Sequence, residues 1–190
     1  MHFNPYSAIG YCWEALGAIW IIGLLFTKPT LRTQSAPSRL LYIALTAVGG
    51  VLIAGYFFPG SVLDAHFVAR TYAVATVGFA VTVAGCLFAV WARLTLGGNW
   101  SGIATVKAGH ELVVRGPYAL ARHPIYTGLL LALAGTILAY GQWRGIAGFF
   151  VVVLALLVKI SQEEKLMMET FPQDYPGYRQ RVKALIPGLL

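Results

Sequence analysis

The sequence predicts an all-α integral membrane protein, and three observations carry that prediction. Of its 190 residues, 58% are hydrophobic and only 11% are charged, whereas a soluble domain is about a quarter charged. Mean hydropathy is +0.70. The apolar residues gather into long runs without the alternation of a transmembrane barrel. In lipid every backbone polar group must be satisfied internally, so runs this apolar are helices.

Five spans are expected, over residues 7–26, 40–58, 71–96, 125–140 and 145–159. A span needs about 20 apolar residues, or about 17 at the short end. The first three reach that length. The last two are short, so they tilt little or extend past the hydrocarbon edge. Only residues 141–144 separate them, which predicts an antiparallel hairpin.

Charge sets the orientation. With the N-terminus outside, Arg70 and Arg144 lie outside and the other twelve of the fourteen Lys and Arg lie inside. That positive-inside bias gives an N-out, C-in topology and places the polar clusters in the cytoplasm. It also accounts for the net charge of +7 without a nucleic-acid partner. Cys12 and Cys86 each fall inside a span, form no metal or redox pattern, and are expected to pack. The first run has no basic segment before it and carries Glu14, unlike a cleaved signal peptide. The C-terminus holds no lipidation cysteine.

Two segments lie outside the membrane. Residues 97–123 form a polar loop longer than a usual connection, a length that marks function or disorder. Its apolar beads Leu112, Val113 and Val114 argue for order. Residues 163–190 form an amphipathic tail, with Phe171, Tyr175 and Tyr178 among charges, that continues the fifth helix and folds back. No internal repeat or low-complexity tract appears. The chain is expected to be one domain, with three N-terminal spans (1–96) and a second half (97–190) that carries the chemistry.

The chemistry-bearing residues sit at the hairpin's open end. Arg122-His123-Pro124-Ile125-Tyr126-Thr127-Gly128 puts a cation, an imidazole and a phenol at the mouth of the fourth span. Pro124 suits a first helical turn, His123 is then the cap, and Tyr126 shares its face. Gly128 allows another backbone to approach. The helix start favours a ligand carboxylate. Glu163-Glu164-Lys165 leaves the fifth span at the same surface, with Lys159 one turn before Glu163 and able to pair with it. One carboxylate would hold a cationic ligand and Lys159 an anionic one. Ionisable groups at a membrane boundary point to function, although interfacial anchoring and a simple surface ion pair remain the plainer alternatives. Gly97-Gly98 lacks the strand context of a dinucleotide site, and no P-loop, HExxH or nucleophile-elbow pattern is present. Asn99-Trp100-Ser101 matches a glycosylation sequon on the inner side, and Met167-Met168 reads as packing.

Taken in order, these segments resemble a family. Gly109-His110-Glu111-Leu112-Val113-Val114-Arg115-Gly116-Pro117-Tyr118, then residues 122–128, then Glu163-Glu164 with Phe171, Tyr175, Tyr178 and Pro187, look like the isoprenylcysteine carboxyl methyltransferase family. The likeness covers roughly residue 96 to the C-terminus. It implies an S-adenosylmethionine-dependent membrane methyltransferase with a cytoplasmic cofactor pocket. The last two spans, the preceding loop and the tail would form that pocket. Carried onto this chain, the implied cofactor contacts are Thr105, His110, Glu111, Leu112, Val113, Tyr118, His123, Pro124, Ile125, Tyr126 and Glu163. Lys159 stands where eukaryotic members place an arginine for the acceptor carboxylate, and with Glu164 and Arg122 it makes the catalytic set. No metal is implied.

The chemistry agrees. A sulfonium and an ammonium suit Glu163, a carboxylate suits helix N–H groups and His123, and an adenine suits Leu112, Val113 and Tyr118. Methyl transfer to a carboxylate or thiolate needs positioning and water exclusion rather than a base. The expected acceptor is lipophilic, an isoprenylcysteine-like molecule entering from the membrane lipid. Methylation of a lipid amine, for which Glu164 or His123 would serve as base, and of a small thiol remain open. So do an NADPH-dependent, steroid-reductase-like enzyme using Arg115, Arg122 and Lys107, and a non-enzymatic subunit.

Overall fold

A computed structural model describes residues 3–33, 36–55, 59–103 and 105–188. Five long helices dominate it: α1 (Pro5–Leu24), α2 (Ala36–Ala54), α3 (Tyr72–Leu96), α4 (Pro124–Tyr140) and α5 (Trp143–Thr170), followed by a short α6 (Tyr175–Arg181). Four of the five are long and apolar enough to cross a membrane; α4, with 17 residues, is the shorter one. The protein is an integral membrane protein with the five apolar helices the sequence predicts. The end of the second expected span, residues 56–58, lies outside the described residues. Unlike α4, α5 is not short. It runs 28 residues and carries the Glu163–Glu164 pair on regular helix beyond the expected end at Lys159.

Local sequence explains the helix ends. Asn4 caps α1 by accepting from the Tyr6 N–H at 3.0 Å, and Thr71 caps α3 by accepting from Val74 at 3.2 Å. Pro124 opens α4 at its first position, and Gly141 closes it in the left-handed conformation at φ 70°.

Helix pairing differs from a simple α4–α5 hairpin. The densest contacts join α3 to α4 and α2 to α5, while α4 and α5 touch sparingly. Glycine explains the first pairing. Gly78 and Gly85 on α3 face Gly128 and Gly135 on α4, so the two backbones nearly touch. A Cβ on Gly128 would stand 2.6 Å from the Ala89 nitrogen, and one on Gly78 would stand 2.6 Å from the Gly135 carbonyl oxygen. Small residues at this spacing let helices approach where lipid gives no hydrophobic drive. Polar contacts reinforce the seam. Thr82 Oγ1 lies 3.3 Å from both the Ala132 carbonyl oxygen and Thr136 Oγ1 across the seam, and Trp13 Nε1 donates to Thr136 Oγ1 at 3.0 Å, tying α1 to α4. Gly49 meets Gly148 and Val152 in the α2–α5 pair. Cys86, with Cys12 beside it, packs with Leu16 and Ala132, and both thiols are free.

One element departs from an all-helical reading. Strand β1 (Thr30–Thr33) pairs antiparallel with β2 (Thr105–Lys107), with a register irregularity between Thr30 and Arg32. Lys28 fastens the same junction by donating to Asn99 Oδ1 at 3.0 Å and to the Gly109 carbonyl at 2.8 Å. The Asn99 of the sequon is thus buried and engaged. At the other end of the bundle Arg144 meets Asp64 at 2.9 Å and donates to the Gly55 carbonyl at 3.0 Å.

Gly128→Val should force α3 and α4 apart and cost about 1–3 kcal/mol, read as a lower thermal midpoint in detergent. Gly10→Ala, where an added Cβ meets nothing within 4 Å, should leave that midpoint unchanged or higher. Equal midpoints for Gly128→Val and wild type would show that the glycine seam does not set the packing.

Candidate active site

The polar residues converge where α4 begins, α5 ends and the tail returns. His123 ends the loop as the cap of α4 and is 9% exposed. Its imidazole lies between both carboxylates, with Nδ1 3.4 Å from Glu163 Oε2 and Nε2 3.4 Å from Glu164 Oε1. The Tyr126 ring stacks beside it at 5.7 Å, nearly parallel, and the Tyr126 hydroxyl donates to Glu163 Oε1 at 2.6 Å. Lys159 Nζ is 4.0 Å from the same oxygen. The hairpin's two clusters therefore do share one surface.

Glu164 is the most heavily engaged group. Arg122 donates to Glu164 Oε1 through Nε at 2.8 Å and through a second, shorter bond from Nη2. Arg179 of α6 reaches Glu164 Oε2 at 3.2 Å. Arg122 also donates to the carbonyls of Arg179 and Val182. Backbone bonds complete the clasp: Arg122 N to the Lys183 carbonyl at 2.8 Å and His123 N to the Ala184 carbonyl at 2.9 Å. Tyr178 donates from its hydroxyl to the Tyr118 carbonyl at 2.6 Å. The tail is folded across the start of α4. The N–H groups of Arg122 and His123 are thus taken by the tail, and the His123 imidazole faces two carboxylates.

Burial and charge act on these groups in opposite senses. Burial disfavours the His123 imidazolium, but hydrogen bonds and attraction from Glu163 and Glu164 outweigh it and hold its pKa above the ordinary value. Burial raises the phenols of Tyr118 and Tyr175 and pushes Tyr178 to about 12, so all three stay neutral.

Beside this clasp lies an open cleft with about 660 Å3 of space, open solvent included. The loop supplies Asn99, Ser101, Ile103, Thr105, His110, Glu111, Leu112, Val113 and Tyr118; the helices and tail add Leu96, Arg122, His123, Glu163, Met167, Tyr175 and Tyr178. Of the eleven implied cofactor contacts, eight line it: Thr105, His110, Glu111, Leu112, Val113, Tyr118, His123 and Glu163. Pro124 and Ile125 are buried behind the wall, where Ile125 packs with Tyr118, Trp100 and Ala92, and Tyr126 reaches the cleft only through Glu163. Of the three catalytic candidates only Arg122 lines it. Glu164 lies on the far side of the Arg122 guanidinium, and Lys159 lies below Glu163 towards the membrane. Sequence reading missed Leu96, Asn99, Ser101 and Ile103, which carry no distinctive chemistry, and set Met167 aside as packing. Thr105 Oγ1 is buried with no partner among the described residues, a polar atom waiting for one.

Comparison with known proteins identifies the architecture. The model of the isoprenylcysteine carboxyl methyltransferase family matches residues 71–169. The chain belongs to that family. A protein-S-isoprenylcysteine O-methyltransferase B of Arabidopsis thaliana is 28% identical over 164 residues, covering 85% of this chain and 80% of the relative. A methanethiol S-methyltransferase of Bradyrhizobium diazoefficiens is 35% identical over 71 residues, covering 37% of this chain and 24% of its own length. The solved structure of a eukaryotic intramembrane Ras methyltransferase of the family superposes with a TM-score of 0.56 at 25% identity. It covers 82% of this chain, and the chain spans about half (54%) of that structure.

The clasp makes two predictions. Glu164→Gln leaves Arg122 buried without its anion and should cost about 3–5 kcal/mol; an unchanged denaturation midpoint would show the pair to be dispensable. His123 has a folded pKa above its unfolded value of about 6.5. Its stabilising contribution is therefore complete below pH ~6.5 and lost as pH rises through the folded pKa. Thermal midpoints between pH 6 and 9 should fall more steeply for wild type than for His123→Gln, and parallel curves would remove the imidazolium from the clasp.

Proposed function

We propose that this protein transfers a methyl group from S-adenosylmethionine to the carboxylate of a lipophilic, isoprenylcysteine-like acceptor at the cytoplasmic membrane face. The observation that carries the proposal is the cleft itself, in which one wall is apolar and aromatic, the other presents the Glu163 carboxylate, and Thr105 offers an unpaired hydroxyl. Family membership supports the same reaction.

The residues fit the donor. Leu112, Val113 and Tyr118 form a slot for a flat base, Thr105 offers it a hydrogen bond, and Glu163 and Glu111 face its cationic groups. When bound, the cofactor supplies an electrophilic methyl on a sulfonium, which an acceptor carboxylate oxygen takes in an in-line displacement that releases no proton. The protein's part is then positioning and exclusion of water. Glu163 is held in place by Tyr126, His123 and Lys159. His123 is a positioning residue in this reading, as are Arg122 and Glu164, which hold the tail over the cleft. Lys159 is the acceptor-facing cation. The sparse α4–α5 packing leaves the bilayer as the route for the lipid tail, and the half comprising residues 97–190 carries most of the site.

A reductase reading fares worse. Among the described lining residues Arg122 is the one Lys or Arg side chain, and it is committed to Glu164, so none of those residues offers a free cation to nucleotide phosphates. Thiol methylation is the second reading, supported by the methanethiol S-methyltransferase relative. It would need no cation for a carboxylate.

Calorimetry of detergent-purified protein should show S-adenosylhomocysteine binding in the micromolar range, weakened about tenfold by Glu163→Gln, and no NADPH binding. Binding of NADPH alone would overturn the assignment. Lys159→Ala should raise the acceptor KM for an isoprenylcysteine about tenfold with a smaller effect on cofactor affinity; an unaltered KM would turn the search to thiols.

A further inference from the structure

Lys159 is 9% exposed and adjoins the cleft without lining it. Its ammonium donates to the Gly102 carbonyl at 2.7 Å, and the flanking residues Ser101 and Ile103 line the cleft. Two aromatic rings flank the ammonium, Tyr42 from α2 and Tyr126 from α4, each with its centroid 5.3 Å away. Three helices meet at this one cation.

The Lys159 ammonium has more donors than nearby acceptors: it has three N–H groups, and among the described residues the Gly102 carbonyl is the one oxygen at hydrogen-bond distance. Glu163 stands at 4.0 Å and already accepts from Tyr126. Tyr42 is 7% exposed, and its hydroxyl has no partner among the described residues. That is an unfavourable state for a buried phenol unless a ligand completes it. Arg39 stands one turn earlier on the same helix face. Spare N–H groups, a free O–H and a second positive charge call for an anion with two oxygens. The Gly102 carbonyl stands in for one of them; a carboxylate would bind more strongly because its hydrogen bonds are charge-assisted.

We propose that Tyr42 is a specificity-determining residue that, together with Lys159, receives the acceptor's carboxylate. The inference rests on the methyltransferase reading above and gives α2, which carries no recognisable motif, a part in acceptor choice. Lysine offers a point charge without a fork, and the phenol hydroxyl supplies the second directed donor.

The test uses Tyr42→Phe, which keeps the ring against Lys159 and removes only the hydroxyl. Steady-state methylation of N-acetyl-S-farnesylcysteine is measured in detergent, with its carboxamide as a competitive inhibitor. The variant should raise the KM for the acid about tenfold. Carboxamide inhibition and S-adenosylhomocysteine affinity should stay unchanged, and the thermal midpoint should not fall. An unchanged KM for the acid overturns the role of Tyr42 alone. Equal weakening of acid and carboxamide with a lower midpoint makes the hydroxyl structural and overturns it too. A wild-type protein that binds S-adenosylhomocysteine yet does not methylate the acid overturns the acceptor reading itself, and this inference with it.

Discussion

The site depends on one buried carboxylate. Glu164 gathers the adjacent Arg122 and His123 at the start of α4 and Arg179 from α6, so two segments distant in sequence meet on a single side chain of α5. Such a group is costly to bury unless every charge is met. Here the cost is offset by two N–H groups of Arg122, the His123 imidazole and a second guanidinium. Remove the carboxylate and the Arg122 and Arg179 guanidiniums lose the anion between them. The tail would then cross the start of α4 on its hydrogen bonds to Arg122, His123 and Tyr118 alone.

Adjacent glutamates divide the labour. Glu164 faces the tail and is saturated by cations. Glu163, one residue earlier and about 100° around the helix, faces the cleft with Tyr126, His123 and Lys159 around it. His123 bridges the two, so the clasp that builds the pocket also fixes the carboxylate that faces its contents. The glycine seam between α3 and α4 serves the same end. It lets α4 stand close enough to α3 for Ile125 to pack under Tyr118 and Trp100, which seats the cleft floor against the bundle.

Much of this was legible in the sequence because the relevant signals are local. Hydrophobic runs gave the helices, Pro124 the start of α4, and the i, i+4 spacing of Lys159 and Glu163 their shared face. The convergence of residues 122–126 with 163–164 followed from a four-residue turn. What stayed hidden is tertiary. The β1–β2 pairing joins residues some seventy positions apart with no alternating pattern to announce it. The α2–α5 and α3–α4 pairings override the sequential hairpin through glycines that read singly as neutral. Tail carbonyls capping α4 left no trace, because backbone acceptors have no residue identity. Tyr42 was likewise silent: an aromatic residue near the end of an apolar run reads as an interfacial belt until its neighbours are known.

The most direct test of the cleft as the cofactor pocket is hydrogen–deuterium exchange of the protein in lipid nanodiscs, with and without S-adenosylhomocysteine. Protection confined to the loop around residues 105–118 and the tail around 171–185, with the opposite end near residues 59–70 unaffected, is the expected result. Absence of protection in both segments, or protection only at that opposite end, would contradict the assignment of the cleft.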